Sequence, residues 1–141
     1  MKITSIAFNN NGFIPKKYSY DEENINPPLE IEDIPKETKT LALIMDDPTA
    51  VSGIWIHWIV WNINSYKIKE NSIPGIEGIN SSGENTYEGP SPPSGTHKYF
   101  FKIYALDIKL NIKNTSKKED LEKAMQNHIL AKAEIIGLYR K

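Results

Sequence analysis

Residues Tyr87 to Asp107, YEGPSPPSGTHKYFFKIYALD, decide how the rest of the chain is read. Gly89, Pro90, Pro92, Pro93 and Gly95 crowd its first part, and proline lacks the backbone donor that helices and inner strands require. That part is therefore a stiff loop. From Thr96 to Leu106 the chain alternates, with His97, Tyr99, Phe101, Ile103 and Ala105 on one side of a strand and Lys98, Phe100, Lys102, Tyr104 and Leu106 on the other. The loop thus feeds a strand whose first two residues on one face are a histidine and a tyrosine.

Glycines let backbone N–H groups approach a ligand closely, and prolines hold a loop's shape so that little ordering entropy is lost on binding. With an imidazole and a phenol beside it, the stretch reads as a pre-formed pocket for an anion or phosphoryl group. Two upstream segments supply partners. Thr40 to Met45, TLALIM, is a buried strand that delivers Asp46 and Asp47 to a sheet end, where Pro48 makes a turn. Ile54 to Ile63 is a central strand, apolar on both sides, with Trp55, His57, Ile59, Trp61 and Ile63 expected on one face and Ile56, Trp58, Val60 and Asn62 on the other. Plainer readings stand beside these: Asp47 as a turn aspartate and His57 as a hydrogen-bonded core histidine.

Elsewhere the pattern is mostly architectural. Lys2 to Phe8 is expected as a strand ended by Asn9 to Gly12, and the segment to Pro35 as one or two short edge strands with loops. Asn64 to Thr86 is polar and loop-like, broken by Pro74, Gly75, Gly78 and Gly83. Ser116 and Glu119 form an S-x-x-E capping box, which predicts a helix over 117–127 ending near His128. Ile135, Ile136 and Gly137 favour a final strand over Ala131 to Tyr139. The expectation is a mainly β, single domain over 1–141.

A chain of 141 residues can bury a real core without staples. With 17 basic and 18 acidic residues the net charge is -1, so no global field recruits nucleic acid or an anionic membrane. Cysteine is absent, which excludes disulfides, thiolate catalysis and cysteine-ligated metal sites. No signal-peptide core opens the chain and no apolar run is long enough to span a bilayer, so a cytoplasmic protein with no stable membrane insertion is expected.

The string GPSPPSGTHKY at Gly89–Tyr99 and DDPTA at Asp46–Ala50, with WIHW at 55–58, resemble the signature motifs of the phosphatidylethanolamine-binding protein family, in particular its prokaryotic Raf-kinase-inhibitor-like branch. The resemblance implies an antiparallel β-sandwich in Greek-key order and a non-enzymatic binding protein without cofactor. Its pocket takes phosphate-like anions or phosphorylated head groups. Matched residue by residue, the ligand-binding positions are Asp47, Trp55, His57, Gly89, Ser91, Pro92, Pro93, His97 and Tyr99. The family also implies a possible kinase or protease target, and a homodimer is a further expectation, with Asn64 to Thr86 as the candidate surface.

This chain departs from the motifs in several places. Thr49 replaces the second aspartate of DPDAP and Val51 its last proline, so that loop is expected to be less rigid. Lys98 stands where an arginine is usual, so any tether from it to Asp47 is expected to be looser. The sequence ends at Lys141 without the C-terminal helix of mammalian relatives, which favours small anions over a whole two-chain lipid. Two other chemistries are open to these residue types: a metal held by His57, His97 and Asp47, and a hydrolase using Ser91 or Ser94 with His97. Neither has a supporting motif, since no HExxH and no G-x-S-x-G is present.

Overall fold

The computed structural model describes all residues, Met1–Lys141. Its centre is strand β4, Thr40–Asp47, in which every residue is buried. An eight-residue run buried on both faces belongs inside a sheet, with neighbours on both edges. On one edge lies β5, Trp55–Ile63, and on the other β8, Thr96–Leu106, both antiparallel to β4. The short β7, Ile76–Glu77, pairs with the far side of β5. The spatial order β8-β4-β5-β7 is that of a Greek key: three successive antiparallel strands, with a fourth returning beside the first.

The sheet continues through β9, Ile129–Arg140, antiparallel to β8, and closes with β2, Gly12–Phe13. The β2 pair is parallel to β9, the one departure from an otherwise antiparallel sheet. A second sheet of β1 (Lys2–Thr4), β3 (Leu29–Glu32) and β6 (Lys67–Ile68) packs against the first. Between the sheets lies the larger core, where Ile3, Leu29, Ile31 and Ile68 meet Leu43, Met45, Trp58, Val60, Phe101, Ile103 and Ile135. A smaller core of Ala42, Ile44, Ile59, Trp61 and Leu106 covers the opposite face, closed by Leu121 and Met125 of the helix α1, Lys118–Met125.

The strict alternation expected along β5 does not hold. Met45 pairs with Trp58 but Asp46 pairs with Ile56, leaving His57 as an extra residue in a bulge. A second irregularity lies between Leu41, paired with Ile63, and Leu43, paired with Val60, where Asn62 has φ 56°. Each extra residue resets the pattern by one. Trp58, Val60 and Ile63 therefore face the larger core, while Ile56, Ile59 and Trp61 face the smaller one.

The helix is shorter than predicted and differently capped. It starts at Lys118, and the Lys117 N–H donates to the Asp120 side chain at 2.9 Å; Ser116 and Glu119 do not form the cap. Asn127, with φ 68°, turns the chain out before His128, which bonds Asp107 instead of ending a helix. The final strand, in turn, is longer than Ala131 to Tyr139. The first strand stops at Thr4, because Ser5 Oγ accepts the Ala7 N–H and donates to the Pro28 carbonyl.

The Asn64 to Thr86 segment is pinned in place. The buried Asn80 side chain donates to the Thr86 carbonyl and accepts from the N–H groups of Ser82 and Glu84. No helix is long and apolar enough to cross a membrane.

Candidate ligand pocket

At one end of the large sheet, β4, β5 and β8 bound a cavity of about 350 Å³. All nine residues named from the sequence line it: Asp47 at the end of β4, Trp55 and His57 at the start of β5, His97 and Tyr99 at the start of β8, and Gly89, Ser91, Pro92 and Pro93 from the loop. The bulge is what admits His57. Without the extra residue, period-two alternation back from Trp58 would send position 57 to the opposite face.

The loop is held by the segment around residue 20. The Tyr87 hydroxyl donates to the Tyr18 carbonyl at 2.8 Å, the Tyr20 N–H to the Pro90 carbonyl at 3.0 Å, and the Gly89 N–H to Asn24 Oδ1 at 2.7 Å. A Cβ on Gly89 would lie 2.1 Å from the Tyr18 carbonyl oxygen, so only glycine fits here. Glycine backbone in this loop is expected from the sequence to sit beside a ligand. Instead its donor is consumed within the protein, and its lack of a side chain serves packing.

Each imidazole is oriented through Nδ1. His57 Nδ1 lies 2.7 Å from the Glu88 carbonyl; a carbonyl only accepts, so Nδ1 carries the proton. His97 Nδ1 donates to Asp47 Oδ2 at 2.7 Å, both side chains being buried. Asp47 Oδ1 in turn accepts the Thr49 N–H and hydroxyl, and the Thr49 hydroxyl oxygen accepts the Lys98 N–H at 3.3 Å.

Thr49 therefore ties down the DDPTA loop that its substitution was expected to loosen. Asp47 has no ion pair with Lys98; His97 takes that place.

Tyr99 stands between the rings, 5.2 Å from His57 edge to face and 6.5 Å from His97 nearly parallel. Its hydroxyl and both Nε2 atoms have no protein partner. Because the sealed, unpartnered side-chain polar atoms are Ser19 Oγ, Thr38 Oγ1, Asp46 Oδ1 and Trp61 Nε1 alone, those three atoms open to the cavity.

Burial pushes the His57 pKa down, against the opposing pull of its bond to the Glu88 carbonyl and of nearby carboxylates. Burial, with Asp47 beside it, pushes the Tyr99 phenol up, so it stays a neutral donor. At neutral pH His57 therefore presents a bare Nε2 lone pair and Tyr99 a hydroxyl.

Sequence reasoning missed Glu88 and the wall formed by Ala50, Val51 and Ser52. Glu88 accepts the Trp55 indole N–H at 3.3 Å, and its carbonyl fixes His57. Its position directly before Gly89 was the available signal. The lining contains two acids, Asp47 and Glu88, and no lysine or arginine, so positive charge at the site can come only from the imidazoles.

Ser91 Oγ donates to Asp21 at 3.3 Å and not to an imidazole, so it lacks the adjacent base a nucleophile needs. No cluster of three or more histidine, cysteine, aspartate or glutamate side chains is arranged to hold a metal ion. A second, larger cavity of about 620 Å³ shares Ser91, Pro92 and Pro93 as a wall but contains neither histidine.

The family model described as phosphatidylethanolamine-binding protein matches residues 4–140. The chain is similar to a UPF0098 protein of Methanothermobacter thermautotrophicus, 46% identical with 100% of this chain and 99% of that protein covered. It is also similar to a UPF0098 protein of Chlamydia muridarum, 44% identical over the same shares.

Among solved structures, a Chlamydia trachomatis protein described as a homologue of phosphatidylethanolamine-binding protein superposes with a TM-score of 0.96 at 42% identity, covering 99% of this chain and 97% of that one. Escherichia coli YbcL shares the fold, with a TM-score of 0.92 at 24% identity and 99% and 98% coverage. With a Greek-key sheet, relatives 46% and 44% identical along its whole length and a family match over residues 4–140, the chain belongs to the phosphatidylethanolamine-binding protein family.

Proposed function

We propose that this protein is a non-enzymatic binding protein whose pocket takes a phosphate-like anion or the phosphoryl end of a small molecule. The observation that carries the reading is the convergence of His57 Nε2, His97 Nε2 and the Tyr99 hydroxyl on one cavity, with each imidazole already oriented from behind. Orientation before binding lowers the entropic cost of gripping a small ligand. A hydroxyl donor and two ring nitrogens match the several oxygens of a phosphoryl group.

The protons determine which ionic form binds. A neutral His57 offers an acceptor, and Asp47 and Glu88 disfavour a second negative charge. One proton must therefore accompany the ligand: either the phosphoryl group arrives with a P–OH that donates to His57, or the imidazole takes up the proton and donates itself. The bound state is a monoanion shared with the histidines. Trp55, Pro92 and Pro93 supply the apolar walls that fit whatever short group the phosphoryl carries.

Isothermal titration calorimetry with inorganic phosphate and phosphoethanolamine tests this on the wild type, His57→Ala and His97→Ala. A charge-assisted hydrogen bond contributes about 1.5–3 kcal/mol, so each substitution weakens binding by roughly tenfold or more. Undiminished affinity in both variants would exclude the pocket as the binding site.

A further inference from the structure

The larger cavity, of about 620 Å³, shares a ridge with the histidine pocket, formed by Ser91, Pro92 and Pro93. Its charge is the reverse of its neighbour's. Lys16, Arg140 and Lys141 line it against one acidic side chain, Asp21, whereas the histidine pocket holds Asp47 and Glu88 and no lysine or arginine. None of the three cationic side chains takes part in an ion pair. Asp21 instead accepts the Ser91 hydroxyl on the ridge at 3.3 Å. With a net charge of only -1 over the whole chain, this local excess of positive charge is not part of a general basic field.

Both cavities are built on one frame. Tyr139, in the wall of the larger one, stands directly opposite His97 in the antiparallel ladder of β8 and β9, so their side chains share a face of the sheet. The Lys141 N–H donates to the Gly95 carbonyl at 3.1 Å, which ties the end of β9 to the loop. Lys16 opens the short turn Lys16–Tyr18, whose Tyr18 carbonyl receives the Tyr87 hydroxyl. Arg140 carries its guanidinium over the Phe13 ring, 5.4 Å from the centroid. The spacing between the two cavities is thus set before any ligand arrives, which lowers the cost of holding a ligand at both.

Resting on the phosphoryl reading of the histidine pocket, we propose that the ligand is a phosphorylated carboxylic acid whose carboxylate crosses the ridge into the cavity lined by Lys16 and Arg140. These cations do not line the pocket that grips the phosphoryl group, so they serve a different part of the ligand. The planar fork of an arginine matches a carboxylate in two parallel hydrogen bonds. Asp21 limits the negative charge the cavity accepts, which favours a carboxylate over a second, dianionic phosphate. Neighbouring strands lie about 4.8 Å apart, a distance that about four bonds of an extended chain span, so the carboxyl carbon belongs about four bonds from phosphorus.

A pair of probes isolates that carboxylate: 3-phosphoglycerate has it where glycerol 3-phosphate has a neutral hydroxymethyl group. Calorimetry of both on the wild type at low salt is expected to show 3-phosphoglycerate binding about tenfold tighter, since each ion pair open to solvent carries a factor of up to about five. Lys16 and Arg140 are exposed, so their replacement leaves the core intact. Lys16→Gln with Arg140→Gln brings the two ligands to within about twofold of each other. Lys113→Gln, which lines neither cavity, keeps the wild-type ratio. His97→Ala weakens both ligands by a similar factor. Equal affinities in the wild type, an advantage that survives the double substitution, or an equal loss in Lys113→Gln overturns the proposal. Where glycerol 3-phosphate still binds and His97→Ala weakens it, the phosphoryl reading stands and this inference alone falls. Binding of neither probe overturns both.

Discussion

At the scale of single residues, the site depends on which nitrogen of each imidazole carries a proton. His57 donates from Nδ1 to a carbonyl and is kept neutral by burial. The sign of the resulting pH effect follows. Lowering the pH supplies the proton that the bound state requires and strengthens binding; raising it does the reverse. Above roughly pH 7, beyond the second ionisation of a phosphomonoester and with His57 held neutral by burial, each binding event takes up one proton, and affinity falls by about tenfold per pH unit. Calorimetry with phosphoethanolamine at pH 7, 8 and 9 measures that slope. A flat profile would mean that no proton is shared at the site.

Much at this scale was legible in the sequence. His97 and Tyr99 share a face because the alternation of β8 is unbroken, and Asp47 is the last residue of a strand whose end is marked by Pro48. The role of Thr49 was not legible: a hydroxyl that binds the aspartate two residues earlier also accepts a backbone N–H from another strand. That second contact spans 49 positions, and local pattern carries no record of it.

At the scale of elements, the loop and the bulge decide the site. Gly89→Ala would drive a methyl group into the Tyr18 carbonyl, a backbone atom that cannot step aside without moving the whole anchor. The substitution is expected to cost about 1–3 kcal/mol in denaturant unfolding and to weaken phosphate binding in the same sample, because the loop and the pocket wall move together. A variant with wild-type stability would show that the loop is not braced in this way. The bulge at His57 is the main point where periodicity misled, since an inserted residue is silent in the composition of an apolar strand. The helix ends were also misjudged: Asp120, one position after the expected Glu119, is the side chain that reaches the free N–H.

At the scale of the whole molecule, the fold was the most legible feature. Three long apolar segments, 40–47, 55–63 and 96–106, became the central strands, and the polar stretch between the last two became the return of the Greek key. The small sheet was less legible because β1, β3 and β6 are two to four residues long, too short for any period to register. The molecule brings together side chains that are 40 positions apart in the chain, His57 and His97, at the end of one sheet, with Tyr99 between them.

That convergence is tested most directly by following the imidazole nitrogens of 15N-histidine-labelled protein by NMR during titration with inorganic phosphate near pH 6.5. The Nε2 signals of His57 and His97 are expected to move together along one binding curve, while His128, paired with Asp107 on the surface, stays in place. Unshifted Nε2 signals at both positions, or shifts of His128 alone, would contradict a shared phosphoryl site.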